Sequence, residues 1–162
     1  MRIENLFHES EINTLSNTVF RLIRSEPELT ERNPKEIKRW MQRGHLHVVF
    51  ANGHVIGFIA KDGLDGEYDE ILSWFVKKRF RGKGIGKKLL RKVVEGKNRK
   101  YLMSTFQKKV ADLVTRFGFK KTQVAKLPLK VAIKYVMKKR LSSIMKHSFQ
   151  TRSTLMMYDA DN

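Results

Sequence analysis

The chain contains no cysteine, which excludes disulfides, thiolate zinc sites and a cysteine nucleophile. It has no run of about 18 apolar residues, the length that marks a membrane-spanning helix. Its first residues, MRIENLFHES, lack the continuous apolar stretch of a signal peptide. A protein of the reducing cytoplasm, with no membrane partner, is therefore expected. Proline occurs only three times in 162 residues, and no repeat, low-complexity tract or Pro/Gly/Ser linker divides the chain. Acidic side chains are scarce in one part only. Residues 77–162 hold four of them against 25 basic ones, a net charge of +21, whereas residues 1–76 hold twelve against nine, a net −3. Such asymmetry points to a face that meets polyanions, although a solvated basic surface that aids solubility gives the same count. Charge is silent on fold.

What is present is a globular pattern, with 41% hydrophobic residues. Ile12, Leu15, Val19 and Leu22 recur at helical spacing, with Pro27 just beyond. Asn33-Pro34 suits the start of a second helix carrying Ile37, Trp40 and Met41, closed by Gly44. The run HLHVVFA-NG-HVIGFIA places two β-branched segments around Asn52-Gly53, the preferred dipeptide of a two-residue hairpin turn. DGLDGEYD at 62–69 reads as a solvated turn, EILSWFV at 70–76 as a strand. A glycine-rich basic stretch follows, then a helix with Ile85, Leu89 and Val93, stopped by Gly96. YLMS at 101–104 reads as a strand, and Val110, Leu113, Val114 and Phe117 as a helix ended by Gly118. After Phe119, the alternation of Val131, Ile133, Tyr135 and Met137 predicts two strands around Pro128, with a helix over 130–146 as the competing reading. The last two dozen residues are a basic extension of unassigned structure. The element order predicts a mixed α/β domain over 1–138 and the extension over 139–162.

The sharpest feature is VKKRFRGKGIGKKLL at 76–90, between a strand and an amphipathic helix. Gly82, Gly84 and Gly86 let backbone approach a ligand closely, and the helix that follows offers unpaired N–H groups and a positive dipole end to phosphate. A Walker A loop needs four residues between its glycines and then Lys-Ser/Thr; here Gly82 and Gly86 enclose three, and Lys88 stands where the hydroxyl belongs. A dinucleotide fingerprint needs glycine at position 87, which is lysine. An ordinary basic strand-to-helix turn is the bland alternative.

Arg81-Gly82-Lys83-Gly84-Ile85-Gly86 instead matches R/Q-x-x-G-x-G/A and resembles the pyrophosphate-binding signature of the GNAT N-acetyltransferase superfamily. Gln107, Val110, Ala111, Leu113, Val114, Arg116, Gly118 and Phe119 are similar to the family's next block. The resemblance extends from about residue 12 to about residue 138. It implies the GNAT fold, a mostly antiparallel central sheet with splayed strands flanked by helices, and acetyl-CoA as cosubstrate. It further implies that the pantetheine lies along strand 70–76, engaging Trp74, Phe75 and Val76, with the Trp74 N–H facing the thioester carbonyl. The amides of Gly82, Lys83, Gly84, Ile85, Gly86 and Lys87 would hold the pyrophosphate beside Arg81, and Gln107 would join the cofactor site.

In members resembling histone acetyltransferases, a glutamate matching Glu70 serves as general base. Glu70 shares a strand face with Leu72, Trp74 and Val76; the plain alternative is a solvated end to the acidic turn. Many members carry a tyrosine in the slot of Val114 to protonate the departing thiolate. Valine lacks that proton, but a thiol of pKa about 8.5 leaves tolerably without an acid. The expected activity is transfer of an acetyl group to a primary amine by direct attack in a ternary complex, the amine being carried on RNA or on a ribosome-associated protein. A nucleic-acid-binding protein on the same fold, tracking phosphates with Arg79, Arg81, Lys83, Lys87, Lys88, Arg91 and Lys92, is the rival; a non-enzymatic acetyl-CoA scaffold is a third reading. His45, His47 and His54 fall short of a zinc set, so no metal is expected. Asp62, Asp65, Glu67 and Asp69 miss the calcium-loop spacing. The Met-rich segment 155–158 is read as packing on the domain or on a partner, and an oligomer is compatible with the sequence.

Overall fold

A computed structural model describes residues 1–27, 29, 32–95, 98–144 and 153–159, without the side chains of 140–144. Within them the chain runs β1 (Arg2–Glu4), α1 (Glu9–Arg24), α2 (Pro34–Gln42), β2 (Leu46–Ala51), β3 (His54–Asp65), β4 (Tyr68–Val76), α3 (Ile85–Val94), β5 (Lys100–Thr105), α4 (Lys108–Thr115), β6 (Lys120–Lys121), α5 (Leu129–Ile144) and β7 (Thr154–Asp159). The strands are ordered β1-β2-β3-β4-β5-β7-β6. Pairing is antiparallel for β1/β2, β2/β3, β5/β7 and β6/β7, and parallel for β4/β5. The fold is thus mixed α/β, with a mostly antiparallel sheet flanked by helices. The chain divides into two compact units.

The first unit comprises Met1–Asp62 and Leu72–Glu95. The hydroxyl-poor start of α1 is held by Glu11, whose Oε2 accepts the His8 N–H at 3.1 Å. Asn33 Oδ1 accepts the Lys35 N–H at 2.9 Å, the side-chain cap expected of Asn33-Pro34. Ile12, Val19 and Ile23 of α1 and Ile37, Trp40 and Met41 of α2 bury their stripes against Leu46, Val48, Val55 and Phe58 of the hairpin. The hairpin turns where the sequence placed it: Asn52 and Gly53 both have positive φ, 50° and 74°, as that turn requires. Gly57 allows a close approach of β3 to β4, since a Cβ there would stand 2.8 Å from the Phe75 carbonyl oxygen.

The second unit comprises Gly63–Ile71 and Gly96–Asn162. Its parallel register runs from Tyr68 opposite Lys100 to Ile71 opposite Met103. Leu64, Tyr68, Leu102, Leu127, Val131, Tyr135 and Leu155 make its core. Thr154–Asp159, from the stretch of unassigned structure, pairs along the whole of β5 and along β6, so the Met-rich segment packs on its own domain: Leu155 and Met156 are buried.

The structure corrects three expectations. Residues after Pro128 form the helix α5, not two strands. Val131 and Tyr135, one turn apart, are buried, while Ile133 and Met137 are 49% and 58% exposed; a strand would have put all four on one face. The alternation misled because α5 is apolar on its outer side too. The acidic stretch is not a solvated turn: β3 and β4 extend into it, leaving Gly66 and Glu67 as the turn. Asp69 is buried and paired bidentately with Arg99, at 2.9 and 2.7 Å. Finally, β1 adds a strand before α1 that three residues without clear alternation did not announce. Gly96, the expected stop of α3, lies outside the described residues; α3 ends at Val94.

Candidate active site

In the first unit, β4 ends at Val76 and a short turn at Lys78–Phe80 leads to the glycine stretch. Gly82 and Gly84 have φ of +78° and +75°, and a Cβ on either would meet nothing within 4 Å. Their need for glycine is conformational, and the space above them is open. Gly86 differs, for a Cβ there would lie 3.1 Å from Cζ2 of Trp74. Its missing side chain lets the half-buried indole lie against the first turn of α3.

The α3 ladder opens with Lys88 N–H to the Gly84 carbonyl at 3.0 Å. The N–H groups of Ile85, Gly86 and Lys87 precede it and have no helical acceptor. Those of Gly82, Lys83 and Gly84 also have no backbone acceptor among the described residues, whereas Arg81 N–H donates to Lys78 O at 3.1 Å. Six successive amides therefore stand ready at the positive end of a helix dipole, the arrangement that binds phosphate. Buried Ile85, Leu89, Leu90 and Val93 fix the helix that carries them. Lys83 and Lys87 are exposed beside it.

Arg81 does something the motif alone did not reveal. Its Nε donates to the Val76 carbonyl at 2.8 Å, and its Nη2 lies 3.5 Å from Glu26 Oε2. The side chain is a strut between the loop, the end of β4 and the segment after α1. Phe75 turns its ring into the core, 5.3 Å from that of Phe58, which leaves its main chain for any ligand.

Glu70 and Gln107 belong to the second unit. Gln107 precedes the first residue of α4; its N–H donates to Thr105 Oγ1 at 3.1 Å and its carbonyl accepts from Val110 and Ala111. Glu70 is 1% exposed. Lys139 Nζ stands 2.9 Å from its Oε1, an ion pair by distance, although neither carboxylate oxygen takes an aligned hydrogen bond. Tyr135 is buried nearby with its hydroxyl bonded to Ser104; burial, reinforced by the Glu70 charge, pushes the phenol up to about 12. Sequence reasoning missed Tyr135 and Lys139 because it read α5 as strands; as a helix, their spacing of four puts both on one face. Val114 is fully buried.

Elsewhere, Asp62 lies 3.7 Å from His45 Nδ1 and 3.8 Å from Arg39 Nη2. Among the described residues no group of three or more His, Asp and Glu side chains is placed to hold a metal ion, and no helix is long and apolar enough to cross a membrane.

Comparison with known proteins shows the family and the fold. The sequence pattern of the acetyltransferase (GNAT) family matches residues 11–119, and the chain belongs to that family. No curated protein matches it in sequence. Among solved structures it is similar to Rv2747 from Mycobacterium tuberculosis in complex with CoA, with TM-score 0.75, 15% identity, and coverage of 98% of this chain and 99% of that one. N-acetylglutamate synthase from Neisseria gonorrhoeae, complexed with CoA and N-acetyl-glutamate, gives TM-score 0.71 and 14% identity over 98% of this chain. This chain spans about a third, 34%, of that synthase. Naa50 from Arabidopsis thaliana, in complex with the bisubstrate analogue CoA-Ac-MVNAL, gives 0.66 and 13%, covering 98% and 97% of the two chains.

Proposed function

We propose that this protein is an acetyl-CoA-dependent N-acetyltransferase that moves the acetyl group to a primary amine by direct attack. The observation that carries the reading is the run of unengaged amides at residues 82–87, kept open by two positive-φ glycines directly after a β-strand, in a chain of the GNAT family. Those amides suit a diphosphate, with Lys83 and Lys87 adding charge. Solved relatives of this fold hold CoA or a CoA-linked analogue, which supports the same cosubstrate here.

In this reading, the Trp74 N–H faces the thioester carbonyl and stabilises the negative charge that grows on its oxygen. Glu70 takes the proton that the acceptor ammonium must lose before it can attack. Buried, apolar Val114 supplies no acid, so the thiolate leaves on the strength of its own low basicity. No covalent enzyme intermediate is needed. The acceptor we favour is an amine borne on RNA or a ribosome-associated protein in the cytoplasm, because the net +21 beyond Val76 exceeds what one CoA requires.

The experiment is release of CoA thiol in the presence of a panel of amines, with Glu70→Gln beside the wild type. Turnover that falls by about 10²–10⁴ in the variant supports the reading. A second reading rests on the exposure of Arg79, Lys83, Lys87, Lys88, Arg91 and Lys92 around the head and outer side of α3. Salt-sensitive RNA binding together with failure to bind acetyl-CoA would favour a nucleic-acid-binding protein instead. Binding of acetyl-CoA without turnover on any amine would favour a scaffold.

A further inference from the structure

The enclosed carboxylate of Glu70 is poorly supplied with donors. Its side chain is 1% exposed, yet neither oxygen takes an aligned hydrogen bond, although a carboxylate can accept about four. The tip of Lys139 lies against it, with Nζ 2.9 Å from Oε1 and 40% of the lysine side chain exposed. The same Nζ is 5.3 Å from the Tyr135 ring centroid. A carboxylate and an aromatic face are the two groups that hold an ammonium against the pull of water. The walls of this place are well anchored. Val131 and Tyr135 seat α5 in the core, and the Tyr135 hydroxyl is bonded to Ser104. Lys134 Nζ donates to Asp65 Oδ1 at 2.7 Å and Lys138 Nζ to the Gly63 carbonyl at 3.0 Å. Lys139, by contrast, reaches the carboxylate from the solvent side on a flexible four-carbon stem. Glu70, Ser104, Tyr135 and Lys139 all belong to the second unit.

We propose that Glu70 and Tyr135 form a binding site for a primary alkylammonium ion, occupied by Lys139 until a ligand of the same chemistry displaces it. The occupant defines the ligand class: an unbranched alkyl chain ending in an ammonium, which brings three donors to a carboxylate whose acceptor sites are mostly unused. A guanidinium is planar and wider and does not replace it like for like. The exchange leaves no buried charge alone, because one cation takes the place of another while the Lys139 ammonium passes into water. Lys139 is thus a competitor, and a ligand sees only the fraction of molecules in which the lysine has swung out. The site shares its carboxylate with the base of the reading above but requires nothing of the first unit.

The test is nitrogen–proton correlation NMR of the full chain during titration with butylammonium and, separately, with the amide of Nα-acetyl-lysine. Ionic strength is held constant, and butanol is the neutral control. The amides of Glu70, Ser104 and Tyr135 should shift saturably with both amines and stay unmoved with butanol. Lys139→Met, which keeps an unbranched stem without the charge, should bind the amines at least about tenfold more tightly. Glu70→Gln should bind them at least about tenfold more weakly. Tighter binding of the lysine amide would mark a peptide-borne amine as the ligand and equal binding a free one; either upholds the site. The inference is overturned if the wild type shows no saturable shift at these amides, or if butanol moves them as the amines do. It is overturned equally if Lys139→Met binds no more tightly or Glu70→Gln binds like the wild type. If a variant does not fold, the wild-type contrast of amine with butanol decides alone. CoA titrated into the same samples separates the two readings. CoA binding without amine binding overturns this site only, and amine binding without CoA binding leaves the site standing while the acetyl-transfer reading falls.

Discussion

Replacing Gly84 by glutamate places a carboxylate where the amides at 82–87 are proposed to receive a diphosphate. Two effects act. At φ +75° any Cβ costs about 1–2 kcal/mol, whatever the side chain. The new charge adds repulsion of about 1 kcal/mol per phosphate charge at 4 Å in water, and about 4 kcal/mol at the effective dielectric of a protein surface. Because the site is open, the lower end applies, and CoA affinity should fall by about tenfold or more. Gly53 supplies the control. It has nearly the same φ, +74°, and equally open surroundings, but it sits in the β2–β3 turn. Gly53→Glu should therefore cost similar stability and leave affinity alone. Calorimetric titration with CoA, paired with thermal melts, separates the two. The reasoning is refuted if Gly84→Glu binds CoA like the wild type, or if Gly53→Glu loses as much affinity.

Other perturbations probe the supports. Arg81→Ala removes the bond to the Val76 carbonyl and should lower stability by about 0.5–1.5 kcal/mol, a shift of a few degrees in a thermal melt, with Arg81→Lys failing to restore it because it lacks Nε. Val131→Asp puts a charge at a 2% exposed position of α5 and should destabilise by about 3 kcal/mol or more, while Ile133→Asp, half exposed, should stay within about 0.5 kcal/mol; equal losses in denaturant titrations would argue for the strand reading. The phenols of Tyr101 and Tyr135 are both raised to about 12, chiefly by burial. The unfolded chain ionises them near pH 10, so stability is intact below that and falls as pH rises toward 12. Denaturant titrations between pH 9 and about 11.5 should show this decline, and Tyr135→Phe should make it shallower.

Where a signal is local, the sequence announced it. Asn52-Gly53 makes its turn from two residues, and Gly82 and Gly84 adopt the positive φ that their glycine-rich spacing before a helix suggested. Gly86 differs from the other two, and only the fold reveals that it yields room to Trp74. Non-local pairings were illegible. Nothing in LMMY says that it will lie between β5 and β6, since a short buried strand and a short buried helix look alike. Apolar residues on both sides of α5 erased the helical period, and the Lys139–Glu70 pair vanished with it. Arg81 was read through its motif as a ligand-facing cation, while its partners are the nearby Val76 carbonyl and the Glu26 carboxylate, which is distant in sequence.

The central claim is that main-chain amides at the head of α3 grip the diphosphate of CoA. Nitrogen–proton correlation NMR during a CoA titration tests it directly, because glycine amides fall in their own spectral region. The account predicts that the largest shifts belong to Gly82, Gly84 and Gly86, with Lys83, Ile85 and Lys87 moving beside them. Shifts confined to other residues, with these six unmoved at saturation, would contradict it.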